Sequence, residues 1–208
     1  MMSVGSSATS RESFRTELDS HADTCCVGKG ATILYVWPDK TVEVTPFLSS
    51  LGVAKDAPIV SAAVAYDDLD GSHILVIHQA VYFEELTHNL LCPMQLRHGG
   101  VEVNDTPKHV MKNPSVQDHA IFFHDGFGIT LDLIGVTSFF PTRPLTEDEL
   151  ERVKEPEFDG PNNAAAEKDY YELTAAHPEW DPSSSSFLKT GRLMRMGTFE
   201  GLPSRSLF

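Results

Sequence analysis

The stretch PIVSAAVAYDDLDGSHILVIHQAVYF, residues 58–83, contains two apolar, β-branched runs separated by a polar turn. Runs of this kind, bounded by turn residues, are typical of β-strands. The Asp70-Gly71 pair between them tolerates the positive φ that a tight hairpin turn requires. We therefore predict an antiparallel hairpin in which Ile59 to Tyr66 pairs with His73 to Phe83.

Similar short apolar runs, broken by Gly, Pro, Asn and Asp, continue from Phe14 to about Phe140. This pattern predicts a mostly β domain over residues 14–140. One segment, CPMQLRHGG (residues 92–100), is instead typical of a short helix. Pro93 suits a first-turn position, and Gly99 is expected to end the helix in the left-handed conformation.

The composition changes after residue 140. In LTEDELERVK (residues 145–154), Thr146 and Glu149 have the spacing of a capping box, which predicts the start of a helix. Residues 145–181 contain twelve acidic and three basic side chains. We predict a flexible N-terminus (1–13), the β domain (14–140), an acidic, partly helical extension (141–181) and a Ser-, Gly- and Pro-rich disordered tail (182–208).

Composition also limits the class of partner. The formal net charge of the 208-residue chain is -14, which argues against a direct nucleic-acid ligand because such binding rests on Lys and Arg. No apolar run is long enough for a membrane span, and the N-terminus lacks the apolar core of a signal peptide. Three cysteines are an odd number for a disulfide framework, so we expect a reducing, cytoplasmic location.

The segment ELDSHADT, residues 17–24, offers a candidate catalytic carboxylate at Asp19. Peptide hydrolysis by carboxylates without a metal needs two acids that share one proton. A small chain that supplies one such acid must pair with a second copy, which makes a homodimer a condition of activity. An Asp-Ser pair is also common in helix caps and turns, and the residue type alone does not choose between these interpretations.

A second segment, ILVIHQAVYFEELTHNLLCPMQLRHGGVEVND (residues 74–105), follows further along the chain. Together the two segments resemble the protease region of copia-type retrotransposon polyproteins, which are retropepsin-like aspartic proteases. In that family a Leu-Asp-Ser-Gly-Ala segment precedes a flap hairpin, and an apolar strand leads through Asn-Leu-Leu into a short helix. The matching residues are Leu18, Asp19, Ser20, Ala22, Asn89, Leu90, Leu91, Gln95, Leu96 and Gly99.

The resemblance, which covers roughly residues 14–112, implies a closed retropepsin-like β-barrel or sandwich with one short helix. It implies an aspartic endopeptidase that cleaves its own polyprotein without a metal or other cofactor. Asp19 would be the catalytic residue, supported by Ser20, His21 and Ala22 of the same loop. Asp23 would orient the substrate backbone or pair with a basic residue such as Arg97, and the flap would lie between Val42 and Tyr66.

His21 departs from the family pattern, which has Gly at this position. Gly allows two catalytic loops to approach closely and offers its backbone N–H to the carboxylate. The imidazole either points away and is tolerated, adding a group that titrates near neutral pH, or it distorts the loop. In the second case the chain is an inactive dimerisation or peptide-binding module; a fragment without selected function is a third interpretation.

Two further interpretations of the sequence remain open. His21 with Cys25 and His88 with Cys92 form two His-x3-Cys pairs, which resemble a set of zinc ligands. Asp125 could be a second catalytic carboxylate in a two-lobed monomer. Gly126 follows it directly, however, and an Asp-Gly turn between strands accounts better for this pair.

Overall fold

The computed structural model describes residues 14–44, 52–154 and 168–176, and most of them lie in β-strands. The predicted N-terminus and tail, and parts of the predicted flap range and acidic extension, fall on residues outside these ranges. The strands are β1 (Phe14–Leu18), β2 (Cys26–Val27), β3 (Thr32–Val44), β4 (Ala54–Asp67), β5 (Ser72–Tyr82), β6 (Asn89–Leu91), β7 (Glu102–Asp105), β8 (His119–Phe122), β9 (Gly128–Thr130), β10 (Asp132–Ile134), β11 (Thr137–Thr142) and β12 (Tyr171–Glu172). The helices are α1 (Pro93–His98) and α2 (Glu147–Lys154), with one 3-10 turn at Lys108–Val110.

Within the described ranges, nine strands form one sheet in the order β10-β11-β1-β6-β2-β5-β4-β3, with β12 also paired to β5. A smaller sheet has the order β7-β8-β9. The apolar core lies between these layers and includes Leu96 of α1, Ile121 of β8 and Phe140 of β11, all fully buried. The described residues form one compact unit.

The predicted hairpin is confirmed in β4 and β5. Ile59 lies opposite Val81, and Tyr66 lies opposite His73. The turn is closed by the Asp68 side chain, whose Oδ1 accepts hydrogen bonds from the backbone N–H groups of Asp70 and Gly71. Gly71 has φ of 149°, a value that residues other than Gly rarely adopt.

Both predicted helices are present. Pro93 occupies the first turn of α1, as expected, but the helix end differs from the prediction. Gly99 has a right-handed conformation with φ of -73°, and Gly100 takes the positive φ of 88° one residue later. At α2, Thr146 and Glu149 form the predicted capping box: the Thr146 N–H donates to Glu149 Oε2 at 2.8 Å and the Glu149 N–H to Thr146 Oγ1 at 3.3 Å.

The expected closed barrel is not formed by the described residues. β3 and β10 are the two ends of the sheet path, and one isolated bridge between Ala65 and Arg143 joins β4 to the end of β11. The Arg143 guanidinium then turns to Asp67 and Glu149, with shortest distances of 2.7 Å to each. Pro144 follows and has no N–H to donate, so strand pairing stops and the chain enters α2.

Candidate active site

Asp19 lies directly after β1, beside the end of a parallel neighbour. β1 and β6 pair in parallel with Leu18 opposite Leu91, and the Asp19 N–H donates to the Leu91 carbonyl at 2.9 Å. β1 is also paired on its other side, with β11. The backbone at Asp19 is therefore fixed by the sheet, while its side chain is 38% exposed and accessible to a ligand.

His21 contacts this carboxylate through its backbone. Its N–H donates to Asp19 Oδ1 at 2.9 Å, which is the bond expected of the family's Gly. The His21 ring is 97% exposed, with Nδ1 3.9 Å from the same oxygen. The φ angle of His21 is not positive, so residues other than Gly can adopt its backbone conformation. Within one chain, a side chain at position 21 is therefore compatible with this loop.

The other predicted loop residues have different environments. Ser20 and Asp23 are exposed, and Ala22 is half-buried against the core. The suggested pairing of Asp23 with Arg97 is not formed. The Arg97 guanidinium instead lies 3.4 Å from the Asp105 carboxylate and donates to the Val103 carbonyl at 2.8 Å, because β7 runs beside the end of α1.

Gln95 of α1 contacts the C-terminal end of residues 19–25, the loop that carries Asp19, which we call the site loop. Its Oε1 accepts hydrogen bonds from Thr24 Oγ1 at 3.1 Å and from the Cys25 N–H at 2.8 Å. Gln95 is 3% exposed, so these bonds form away from water and fix where the loop returns to the sheet. Gln95 is one of the residues that carry the resemblance, which implies no role for it.

The three cysteines lie beneath the loop as free thiols. Burial, together with the nearby Asp19 charge, raises the pKa of Cys26 to about 11. Burial also raises the pKa of Cys25 and of Cys92. Thiols with raised pKa values stay protonated at neutral pH and are poor nucleophiles. The loop therefore presents a carboxylate rather than a thiolate.

The proposed zinc ligands do not converge. The His21 ring faces solvent, whereas Cys25 is buried and its Sγ accepts a hydrogen bond from the Cys92 N–H at 3.2 Å. His88 contacts Glu17 through Nε2 at 3.7 Å. Within residues 14–44, 52–154 and 168–176, no group of three His, Cys, Asp or Glu side chains is placed to hold a metal ion.

Asp125 forms the turn that its sequence indicated. Its Oδ1 accepts from the Phe127 N–H at 3.0 Å, Gly126 has φ of 91°, and the flanking strands β8 and β9 pair. Asp125 Oδ2 accepts from the Tyr171 hydroxyl at 3.0 Å. The backbone hydrogen bond from Phe127 is the main cause that lowers the pKa of Asp125.

A chain of hydrogen bonds links Trp37 of β3 to Glu172 of β12, and nothing in the local sequence predicted it. Trp37 Nε1 donates to Ser61 Oγ at 3.2 Å, and Ser61 Oγ lies 3.0 Å from His78 Nδ1. His78 Nε2 lies 3.2 Å from Glu172 Oε1. If Ser61 donates onward to Nδ1, then Nε2 carries the proton toward Glu172, so each bond has one donor and one acceptor.

β3 and β4 form a long antiparallel hairpin in the region where a flap was expected. Thr32 lies opposite Ala63 at its base, and Val44 lies opposite Ala54 at the last described pair. The register shifts at three places along it. The tip falls outside the described residues.

Comparisons with protein-family models, with curated proteins and with solved structures found no match for this chain. Among the described residues, no helix is both long and apolar enough to cross a membrane.

Proposed function

We propose that this chain is a retropepsin-like aspartic endopeptidase that acts as a homodimer on a retrotransposon polyprotein. The observation that carries the proposal is the Asp19 carboxylate, which is half-exposed at the end of two parallel strands and accepts the backbone N–H of His21. The order of strand, carboxylate loop, long hairpin and short helix agrees with the family pattern that the sequence resembles.

In the proposed mechanism, two Asp19 carboxylates from two chains share one proton. One carboxylate takes a proton from a water molecule, whose oxygen attacks the scissile carbonyl carbon. The shared proton moves to the carbonyl oxygen as the tetrahedral intermediate forms. The C–N bond then breaks as the carboxyl group that holds the water's proton donates it to the leaving nitrogen, while the other carboxylate takes a hydroxyl proton from the intermediate. The pair again holds one proton, and the products leave as a carboxylic acid and an amine, which ionise in water.

Dimerisation is needed because each chain supplies one carboxylate of this kind. Ser20, His21 and Asp23 are all exposed around Asp19, which leaves the loop accessible to a second copy. The Ser20 hydroxyl would bridge to the partner loop and fix the separation of the carboxylates. Asp23 would contact the substrate backbone, and the β3–β4 hairpin would cover the substrate.

An inactive dimerisation or peptide-binding module is the second candidate, and His21 is the observation that favours it. In a single chain the imidazole is tolerated, but it lies 3.9 Å from the Asp19 carboxylate. Two such rings near a two-fold axis would oppose close approach of the carboxylates. The module would then keep the fold and dimer without hydrolysis.

The test is proteolysis of denatured mixed proteins by the purified chain between about pH 4 and about pH 7. We expect cleavage that pepstatin inhibits and that Asp19→Asn abolishes. Asp70→Asn is the matched control, because Asp70 is an exposed Asp in the distant β4–β5 turn. Cleavage that survives Asp19→Asn would refute the proposal. A folded wild type that is inactive, with activity gained by His21→Gly, would establish the inactive module.

A further inference from the structure

Residues 168–176, which we call the strap, pair with β5 and pack against the core. β12, within the strap, pairs in parallel with β5, where Tyr171 lies opposite Leu75. The Tyr171 ring stacks on Phe127 with centroids 4.4 Å apart, and Leu173 is fully buried in the main core. The strap is therefore an integral part of the fold, although it comes from the acidic extension.

Thr174 makes two hydrogen bonds with one backbone residue of β5. Its Oγ1 accepts from the His78 N–H at 2.7 Å and donates to the His78 carbonyl at 2.8 Å. Thr174 is fully buried, so loss of its hydroxyl would leave two backbone groups without this partner.

The same carbonyl is a contact of Gln95. Gln95 Nε2 lies 3.3 Å from the carbonyl oxygens of both His78 and Gln79, while Oε1 accepts from Thr24 and Cys25. Gln95 thus uses both donors and accepts two bonds. A continuous set of buried hydrogen bonds runs from the strap, through His78 and Gln95, to the loop that carries Asp19.

A β-bulge brings these carbonyls together. Val60 lies opposite Ala80 and Ala62 lies opposite Ile77, so two residues of β5, His78 and Gln79, face the single residue Ser61. Gln79 has φ of 53°, which is uncommon for a non-glycine residue and persists where surrounding contacts impose it. The bulge turns the backbone of β5 away from regular pairing and toward Gln95 and Thr174.

We propose that Gln95 and Thr174 are positioning residues for Asp19. Docking of the strap fixes the β5 bulge, the bulge fixes Gln95, and Gln95 fixes the end of the loop at Thr24 and Cys25. The catalytic consequence rests on the proposed function, but the mechanical link between strap and loop does not. The active unit accordingly includes the strap, and separation of residues 168–176 from the domain would disorder the site.

The experiment compares Thr174→Val, Thr174→Ser and Thr130→Val in the full chain. Thr174→Val keeps the shape but removes the hydroxyl, Thr174→Ser restores the hydroxyl, and Thr130→Val makes the same change at an exposed position of β9. Amide hydrogen exchange of residues 19–25 is measured, with residues 132–142 as the internal reference. Peptide cleavage is measured in parallel.

In Thr174→Val we expect exchange of residues 19–25 to accelerate about tenfold, with residues 132–142 unchanged. We expect kcat to fall about tenfold with KM unchanged, and Thr174→Ser to restore both values. Unchanged exchange in the loop, or equal acceleration in both segments, would overturn the positioning role. If the wild type does not cleave, the proposed function fails, while the exchange result still decides the link between strap and loop.

Discussion

At the scale of single residues, the contact between Asp19 and His21 does not depend on the side chain at position 21. The bond to the carboxylate comes from the backbone N–H, which every residue except Pro possesses. The φ of His21 is not positive, so a Cβ is compatible with the loop. What His adds is the bulk of an imidazole ring on the exposed side of the loop.

Glu172 is the residue whose ionisation should matter most for attachment of the strap. Burial by itself would raise the pKa of this carboxyl, but hydrogen bonds from His78 and Lys168 outweigh it and lower the pKa from 4.5 to about 2. A carboxyl with a lowered folded-state pKa stabilises the fold fully above its unfolded pKa. That contribution is lost as the pH falls from about 4.5 through about 2.

We therefore predict that Glu172→Gln is less stable than the wild type at neutral pH and that the difference shrinks on acidification across this window. Urea unfolding midpoints of both proteins, measured from about pH 7 to about pH 3, test this. Glu84→Gln, at an exposed Glu outside the strap, is the control. A difference that stays constant over the whole range would contradict the assigned role of the carboxylate.

At the scale of elements, local signals predicted local structures. The Asp70-Gly71 turn, the capping box at Thr146 and the Pro93 helix start each depend on neighbouring residues, and each element formed. The end of α1 was displaced by one residue because Gly99 and Gly100 are adjacent and either can take positive φ. The parallel pairing of β1 with β6 beside Asp19 was not predicted, because it joins segments more than seventy positions apart.

The strap and the roles of Gln95 and Arg143 were not predictable from local sequence. β12 has two residues, which is too short to show alternation, and its partner on β5 is almost a hundred positions away. Arg143 contacts Asp67 across 76 positions of sequence. Gln95 has the sequence context of any helical Gln, and its four hydrogen bonds exist only after β5, the site loop and α1 have assembled.

The burial of Leu173 leads to a stability prediction for the strap. Leu173 is fully buried in the main core, so Leu173→Ala should lower the free energy of unfolding by about 2–5 kcal/mol. Leu69→Ala should change it by less than about 0.5 kcal/mol, because Leu69 is fully exposed in the β4–β5 turn. Chemical denaturation of both variants provides the comparison. A loss below about 1 kcal/mol for Leu173→Ala would mean that the strap adds little to the core.

At the scale of the whole molecule, the proposed activity requires two chains that carry the same net charge. Each chain has a formal charge of -14, much of it contributed by residues 145–181. Like-charged copies repel over distances that salt shortens, so moderate salt should favour association. The exposed loop around Asp19 must therefore gain enough from contact with its partner to exceed this repulsion.

Mixing wild type with Asp19→Asn tests whether the site is shared between chains. If two carboxylates are required and subunits exchange freely, only dimers of two wild-type chains cleave. At constant total protein, an equal mixture should retain about a quarter of the activity, whereas independent monomeric sites would retain about half. Mixing with Asp70→Asn should preserve full activity and controls for the procedure. Because repulsion between acidic chains slows pairing, the mixture is equilibrated and assayed in moderate salt. After subunit exchange, a retained activity of one half would mean that each chain contains a complete site.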